Sequence, residues 1–154
     1  MIVPLNLPKA KLKLSRKNEL LYVWCVSRKK TLLLTPEEWV RQHVIHYLVE
    51  HKNVPLGLII SEQGIQINDL FRRCDVVVYG RDQKAKLVIE CKATDVALNK
   101  QVLHQIAHYN AKLEVDYLWI TNGIKHVFYH INRKDASLNV LEELPDFEVL
   151  NGKH

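Results

Sequence analysis

Arg72-Arg73-Cys74-Asp75-Val76-Val77-Val78-Tyr79-Gly80-Arg81-Asp82-Gln83-Lys84-Ala85-Lys86-Leu87-Val88-Ile89-Glu90-Cys91-Lys92 contains two short β-branched runs joined by a polar link. Residues 76–79 and 87–89 read as strands, and residues 80–85 turn one back onto the other. A pivot near Asp82-Gln83 sets Asp75 opposite Glu90. Side chains alternate faces with period two, so Arg73, Asp75, Val77 and Tyr79 are expected to share a face with Lys86, Val88, Glu90 and Lys92. Cys74, Val76, Val78, Leu87, Ile89, Cys91 and Ala93 then form an uncharged second face. Ionisable groups gathered at one end of an otherwise apolar sheet are costly to desolvate unless they have a task. This sheet end is therefore the candidate functional site.

Upstream, Thr35-Pro36-Glu37-Glu38 is a sharp helix start: Thr35 caps, Pro36 suits the first helical position, and Glu38 completes a capping box. Trp39, Val40, Val44, Tyr47 and Leu48 recur at helical spacing to about His51. Before it, residues 20–26 and 31–34 read as strands around the basic turn Ser27-Arg28-Lys29-Lys30. Residues 1–18 hold Pro4, Pro8 and five lysines or arginines, and read as an extended, partly mobile arm. After the helix, residues 56–60 read as a strand that Ser61-Glu62-Gln63-Gly64 turns toward a short extended piece at 65–67. Downstream of the hairpin, Val102, Leu103, Ile106, Ala107 and Tyr109 predict a second helix over 99–113. Residues 117–121 form a strand, Asn122-Gly123 a turn, and residues 126–131 its returning partner. The tail, residues 132–154, carries no placeable pattern.

A chain of 154 residues fits one domain with a full core. Its net charge of +5 tilts toward an anionic partner. Three cysteines at 25, 74 and 91 contain no CxxC pair, which suggests a reducing, intracellular setting without structural zinc. No apolar h-region opens the chain and no run approaches the ~20 apolar residues of a membrane span, so a cytoplasmic protein without membrane contact is expected.

Asp75 and Glu90 facing each other across a hairpin would supply two carboxylate oxygens to a hard dication such as Mg²⁺ or Mn²⁺, with the Cys91 carbonyl as a third ligand. Such a metal lowers the pKa of a bound water and screens charge growing on a phosphate. Lys92 would orient or deprotonate that water, or stabilise the pentacovalent phosphate. By spacing alone, an acid and a lysine two apart more often form a surface ion pair. Gln105 and Tyr109, spaced i, i+4, add a helix face turned toward the same sheet end. Taken alone, Tyr109 fits core packing better, with Gln105 exposed.

Asp75, Glu90-Cys91-Lys92 and Gln105-x-x-x-Tyr109 resemble the PD-(D/E)XK nuclease superfamily. More specifically, the chain is similar to the N-terminal nuclease domain of type I restriction enzyme R subunits and its stand-alone relatives. Thr35-Pro36-Glu37-Glu38-Trp39-Val40-Arg41-Gln42, the Arg73-x-Asp75 strand, Gln105-Ile106-Ala107-His108-Tyr109-Asn110 and Thr121-Asn122-Gly123 follow in the order that family shows. The likeness spans roughly residues 20–131. It implies an α/β, three-layer restriction-endonuclease-like core, α-β-β-β-α-β, with a mixed central sheet between helices. Residues 1–19 would be a basic arm, 20–131 the nuclease-like domain and 132–154 a C-terminal tail. It implies Mg²⁺-dependent DNA cleavage, with Asp75 and Glu90 as metal ligands, Lys92 catalytic, and Gln105 with Tyr109 as an accessory pair. Restriction-modification or motor subunits are the implied partners, and a homodimer would supply the two sites that cutting both strands calls for. Cys74 stands where the superfamily's eponymous proline would be. No P-loop G-x-x-x-x-G-K-[ST] is present, which removes ATP-driven translocation from the expectation.

Glu38, or Glu37, would be the additional metal-binding acid that related nucleases bring from the first helix, although the capping box accounts for Glu38 without a metal. Glu62 is a third choice, better explained as a solvated turn residue. His104 and His108 have zinc-compatible spacing but no third ligand. Among the basic clusters, Arg72-Arg73 beside Asp75 is the expected DNA contact, giving affinity without sequence readout. The competing reading is a non-catalytic nucleic-acid-binding or assembly module of the same fold.

Overall fold

The structure, a computed structural model, describes residues 2–67 and 70–152, with the side chains of residues 62–72 left outside the description. A long helix, α1 (Pro36–His51), begins where its residues dictate. Thr35 Oγ1 accepts from the Glu38 N–H at 3.0 Å, Pro36 occupies the first turn, and Glu37 and Glu38 sit at the positive end of the helix dipole. Val40, Val44, Ile45 and Leu48 are wholly buried along one stripe.

Six strands form the main sheet: β4 (Ile59–Ile67), β5 (Leu70–Tyr79), β6 (Ala85–Cys91), β7 (Tyr117–Thr121), β8 (His126–Ile131) and β9 (Leu138–Leu141). They lie in sequence order, all antiparallel except β6 against β7. That one parallel step needs a crossover, supplied by α2 (Lys100–Ala111), which Asn99 caps by accepting from Val102 N–H at 2.9 Å. The core order is thus α-β-β-β-α-β with a mixed sheet, as expected. One cluster joins α1 to Val76, Val78, Leu87, Ile89, Cys91 and Trp119 on one face. Another joins Ala107 of α2 to Val77, Val88, Leu118 and Ile120 on the other. Each fully buried aliphatic side chain contributes about 1.5–3 kcal/mol, so the two helix layers hold the sheet from both sides.

A separate three-stranded sheet precedes α1: β1 (Leu14–Lys17), β2 (Leu20–Cys25) and β3 (Lys30–Leu33), all antiparallel. Its inner face, with Val23 and Cys25 wholly buried, meets β4 through a 2.7 Å bond between the Ser27 and Ser61 hydroxyls. The residues ahead of β1 are tied down rather than trailing free. Asn6 N–H donates to Gly123 O at 2.8 Å, and the Trp39 indole donates to Val3 O at 2.9 Å. Gly123 sits at φ +87, and a Cβ there would lie 2.8 Å from Leu5, so the Asn122-Gly123 turn both reverses the chain and receives the N-terminal segment.

Three expectations need correction. Ser61-Glu62-Gln63-Gly64 is not a turn: the backbone runs on as one nine-residue strand from Ile59 to Ile67, because the partner β5 is ten residues long and pairs along it. Residues 56–58 form a 3₁₀ turn instead of opening that strand. The tail is also part of the fold. It adds edge strand β9 and α3 (Phe147–Leu150), and buries Leu144, Phe147 and Leu150 in the cluster under α1.

Candidate functional site

The register of β5 on β6 pairs Val76 with Ile89 and Val77 with Val88, so its continuation sets Asp75 opposite Glu90. A bulge between Val78 and Tyr79 shifts only the far end, where Tyr79 meets Ala85. The expected sharing of faces fails at Asp75. Cys74 packs in the α2-side cluster with Val77, whereas Asp75 reaches Arg41 of α1 and Val76 packs in the α1-side cluster. The alternation therefore breaks between Cys74 and Val76, and Asp75 turns toward α1. Cys74 and Cys91, expected on one face, lie in different clusters. Along β6, Ile89 and Cys91 pack in the α1-side cluster and Val88 in the α2-side cluster, with Glu90 half-buried between Ile89 and Cys91.

The Asp75 carboxylate, 19% exposed, is held at both oxygens. Oδ2 accepts from the Cys91 N–H at 2.7 Å, and Oδ1 lies 3.3 Å from Arg41 Nη2. The bond to Cys91 takes a ladder position that backbone would otherwise fill, locking Asp75 to the Glu90-Cys91-Lys92 segment. On its other side that segment is fixed by Lys92 N–H donating to Thr121 O at 2.8 Å. Burial, and then the negative charge of Asp75, push the Cys91 thiol well above its ordinary range, so it stays a neutral core group.

Arg41 was not singled out by the sequence reading, yet it is the hub. It is 3% exposed and donates to Glu38 Oε1 at 2.6 Å and Glu37 Oε1 at 2.6 Å as well as to Asp75. Gln42 Nε2 takes the other oxygen of Glu38 at 2.8 Å. The capping box is thus half right: the Glu38 backbone caps onto Thr35, while its carboxylate points inward to Arg41 and Gln42. A spacing of i, i+3 and i, i+4 from Glu38 and Glu37 was the available signal, but the same spacing describes a solvated ion pair. A depression of about 350 Å³ opens over this group, lined by Leu32, Leu33, Thr35, Glu37, Glu38 and Arg41.

Glu90 and Lys92 are half-buried at the end of β6. Gln105 is exposed and Tyr109 is 61% exposed, so Tyr109 is no core residue and both stand open on α2. Arg73 is exposed, whereas the side chains of Arg72 and Glu62 lie outside the described residues. His104 and His108 lie with ring centroids 4.1 Å apart and planes tilted by 57°. Among the described residues, no three histidine, cysteine or carboxylate side chains are set close enough together to hold a metal ion. The chemistry of the donors nonetheless suits a hard dication, since Glu37, Glu38 and Asp75 already converge on one positive charge.

Residues 36–145 match the model of the family described as type I restriction enzyme R protein N terminus (HSDR_N). The chain belongs to that family. The structure of a fragment assigned as an HsdR subunit of a type I restriction enzyme from Vibrio vulnificus YJ016 superposes with a TM-score of 0.52 at 18% identity, covering 78% of this chain. At that identity the likeness is one of fold, and this chain spans 25% of the length of that fragment. No curated protein matches the chain. The family match begins at the first residue of α1 and ends just after Leu144, so the three-stranded sheet lies outside it. No helix among the described residues is long and apolar enough to cross a membrane.

Proposed function

We propose that this R-protein N-terminal domain is a metal-dependent endodeoxyribonuclease acting on DNA phosphodiester bonds. The observation that carries the reading is the Asp75 carboxylate, held by the Cys91 N–H and Arg41 at the end of a hairpin whose register sets it opposite Glu90. Asp75, Glu90, the Cys91 carbonyl and Glu38 are the groups that would hold Mg²⁺ or Mn²⁺. When bound, that ion supplies an activated water and charge stabilisation at the phosphate. Lys92 places an ammonium at the same strand end to hold or move a proton on the attacking water. Gln105 and Tyr109 offer exposed hydrogen-bonding groups from α2. Arg72 and Arg73 precede Asp75 on β5 and would neutralise backbone phosphates. Other restriction-modification or motor subunits are the proposed partners, and a homodimer the proposed route to double-strand cutting. A second reading, a non-catalytic DNA-binding or assembly module, draws on Arg41, which already pairs with Glu38 and Asp75.

Nicking of supercoiled plasmid with Mg²⁺ or Mn²⁺ separates the two readings. The nuclease reading expects activity that EDTA abolishes and that Asp75→Ala and Lys92→Ala each lower by at least about a hundredfold. Nicking that survives EDTA, or that ignores both substitutions, sinks it. DNA binding with no nicking in either metal would favour the module.

A further inference from the structure

The three-stranded sheet has an outer face that no element covers among the described residues. Along β2, Val23 and Cys25 are wholly buried, while Leu20 is 50% exposed and Trp24 36% exposed, with half-buried Tyr22 between them. The register lines these side chains up in rows. Ser15 and Leu33 flank Tyr22, Lys17 stands beside Leu20, and Thr31 stands beside Trp24. Trp24 N–H also donates to Lys13 O at 3.0 Å, which carries the ladder on and brings Lys13 level with Trp24. A depression of about 400 Å³ is lined by Lys13, Leu14, Ser15, Trp24 and Thr31, so the indole lies open beside an ammonium and two hydroxyls. Trp24 stacks on no other ring among the described residues.

Charge is concentrated here. Residues 1–30 carry eight lysines and arginines against one acid, Glu19, while the remainder of the chain carries fourteen against sixteen. The whole net positive charge of the protein therefore resides in this sheet and the segment leading to it. Aromatic rings interleaved with lysines on an open sheet suit a polyanion with exposed π-faces. Duplex DNA offers the charge but keeps its bases stacked inside. A second copy of this chain would bring an equally basic face against this one, and like charges repel.

We propose that the outer face of β1–β3 is a stacking platform for a single-stranded polynucleotide, with Trp24 and Tyr22 as base-stacking rings and Lys13 and Lys17 as phosphate contacts. Leu33 belongs both to this face and to the depression over Glu38 and Arg41, so a strand lying on the platform would run toward the candidate site. The platform does not depend on the nuclease reading, because binding is measured in EDTA without cleavage.

The test is fluorescence anisotropy of labelled dT15 in EDTA, with a hairpin duplex as the comparison. Trp24→Ala is expected to weaken dT15 binding at least tenfold, while Trp24→Phe stays within threefold. The Lys13→Ala, Lys17→Ala double variant should flatten the slope of log K against log salt by about 1.4. Binding of rU15 with the same dependence on Trp24 would support the platform, since a ring reads base faces and not sugars. Undiminished dT15 binding by Trp24→Ala would overturn it, as would equal losses for the duplex, or a loss that Trp24→Phe does not rescue. Dimerisation abolished by Trp24→Ala with dT15 binding untouched would assign the face to a second copy instead.

Discussion

Arg41 brings one delocalised positive charge to a point that Glu37, Glu38 and Asp75 all reach, and only a planar fork can serve three carboxylates at once. Its removal would leave Glu38, 4% exposed, as a buried charge without a cation. Arg41→Met is expected to lower unfolding stability by about 3–5 kcal/mol in urea titrations. A loss under about 1 kcal/mol would mean that the buried cluster is better solvated than its geometry implies. His126 makes a second residue-scale case. The Trp119 indole can only donate, and at 3.3 Å it points to His126 Nδ1, which also lies 2.8 Å from the Thr121 hydroxyl. Nε2 therefore carries the proton and donates to Asn6 O at 2.7 Å. Burial holds the His126 imidazole below the ordinary histidine range, and burial lowers that of His43 in the same way. The unfolded chain thus binds more protons than the native one as pH falls through the ordinary histidine range. Native stability should be intact above it and decline below it, so Tm should fall between pH 7 and pH 5.5, and His126→Gln should flatten that decline. A Tm profile unchanged by His126→Gln would refute burial of a neutral His126 as a source of the decline. The register that brings Asp75 level with Glu90 was legible in the sequence because the turn chemistry near Asp82-Gln83 fixes which residues of β5 and β6 meet. The direction Asp75 takes was not legible, since a local break in alternation leaves no mark in residue type.

Elements with strong punctuation were read correctly: α1 from Thr35-Pro36 and its acids, β7 and β8 from the Asn122-Gly123 turn between them. Gly64 misled for the same reason, because a glycine inside a strand looks like a turn until a partner strand is known to pair with it. The C-terminal elements are too short for any period to register: β9 and α3 have four residues each. Their anchoring is tertiary. Phe147 N–H donates to Lys52 O at 2.9 Å, and Asn53 Nδ2 donates to Asp146 Oδ2 at 2.9 Å, fastening α3 to the end of α1. Phe147 is 2% exposed and Leu150 1%. Phe147→Ala is therefore expected to destabilise the whole domain by about 3–5 kcal/mol, as a core deletion does. Loss of only local protection around α3 in hydrogen exchange, with global stability intact, would show that this segment is an appendage.

At the scale of the molecule, the sheet is a floor between two helix layers, and the candidate site sits where β5 and β6 run out together. Layer order was readable from the alternation of strand and helix patterns, while the basic three-stranded annex on the α1 side was readable only as two strands and an arm. One such floor presents one candidate site per chain. A single site can break one strand per encounter, and the opposite strand has reversed polarity, so a second cut needs a second chain or a second binding event. With Mg²⁺, supercoiled plasmid should first become nicked circle, with linear product trailing. The rate of linear product should rise more steeply than first order in protein, whereas nicking should stay near first order. Gel time courses across a tenfold range of protein, alongside sedimentation measurements of assembly state, read both orders. Linear product formed at once, in first order, by a protein that sediments as a monomer would contradict the inference of one cut per chain.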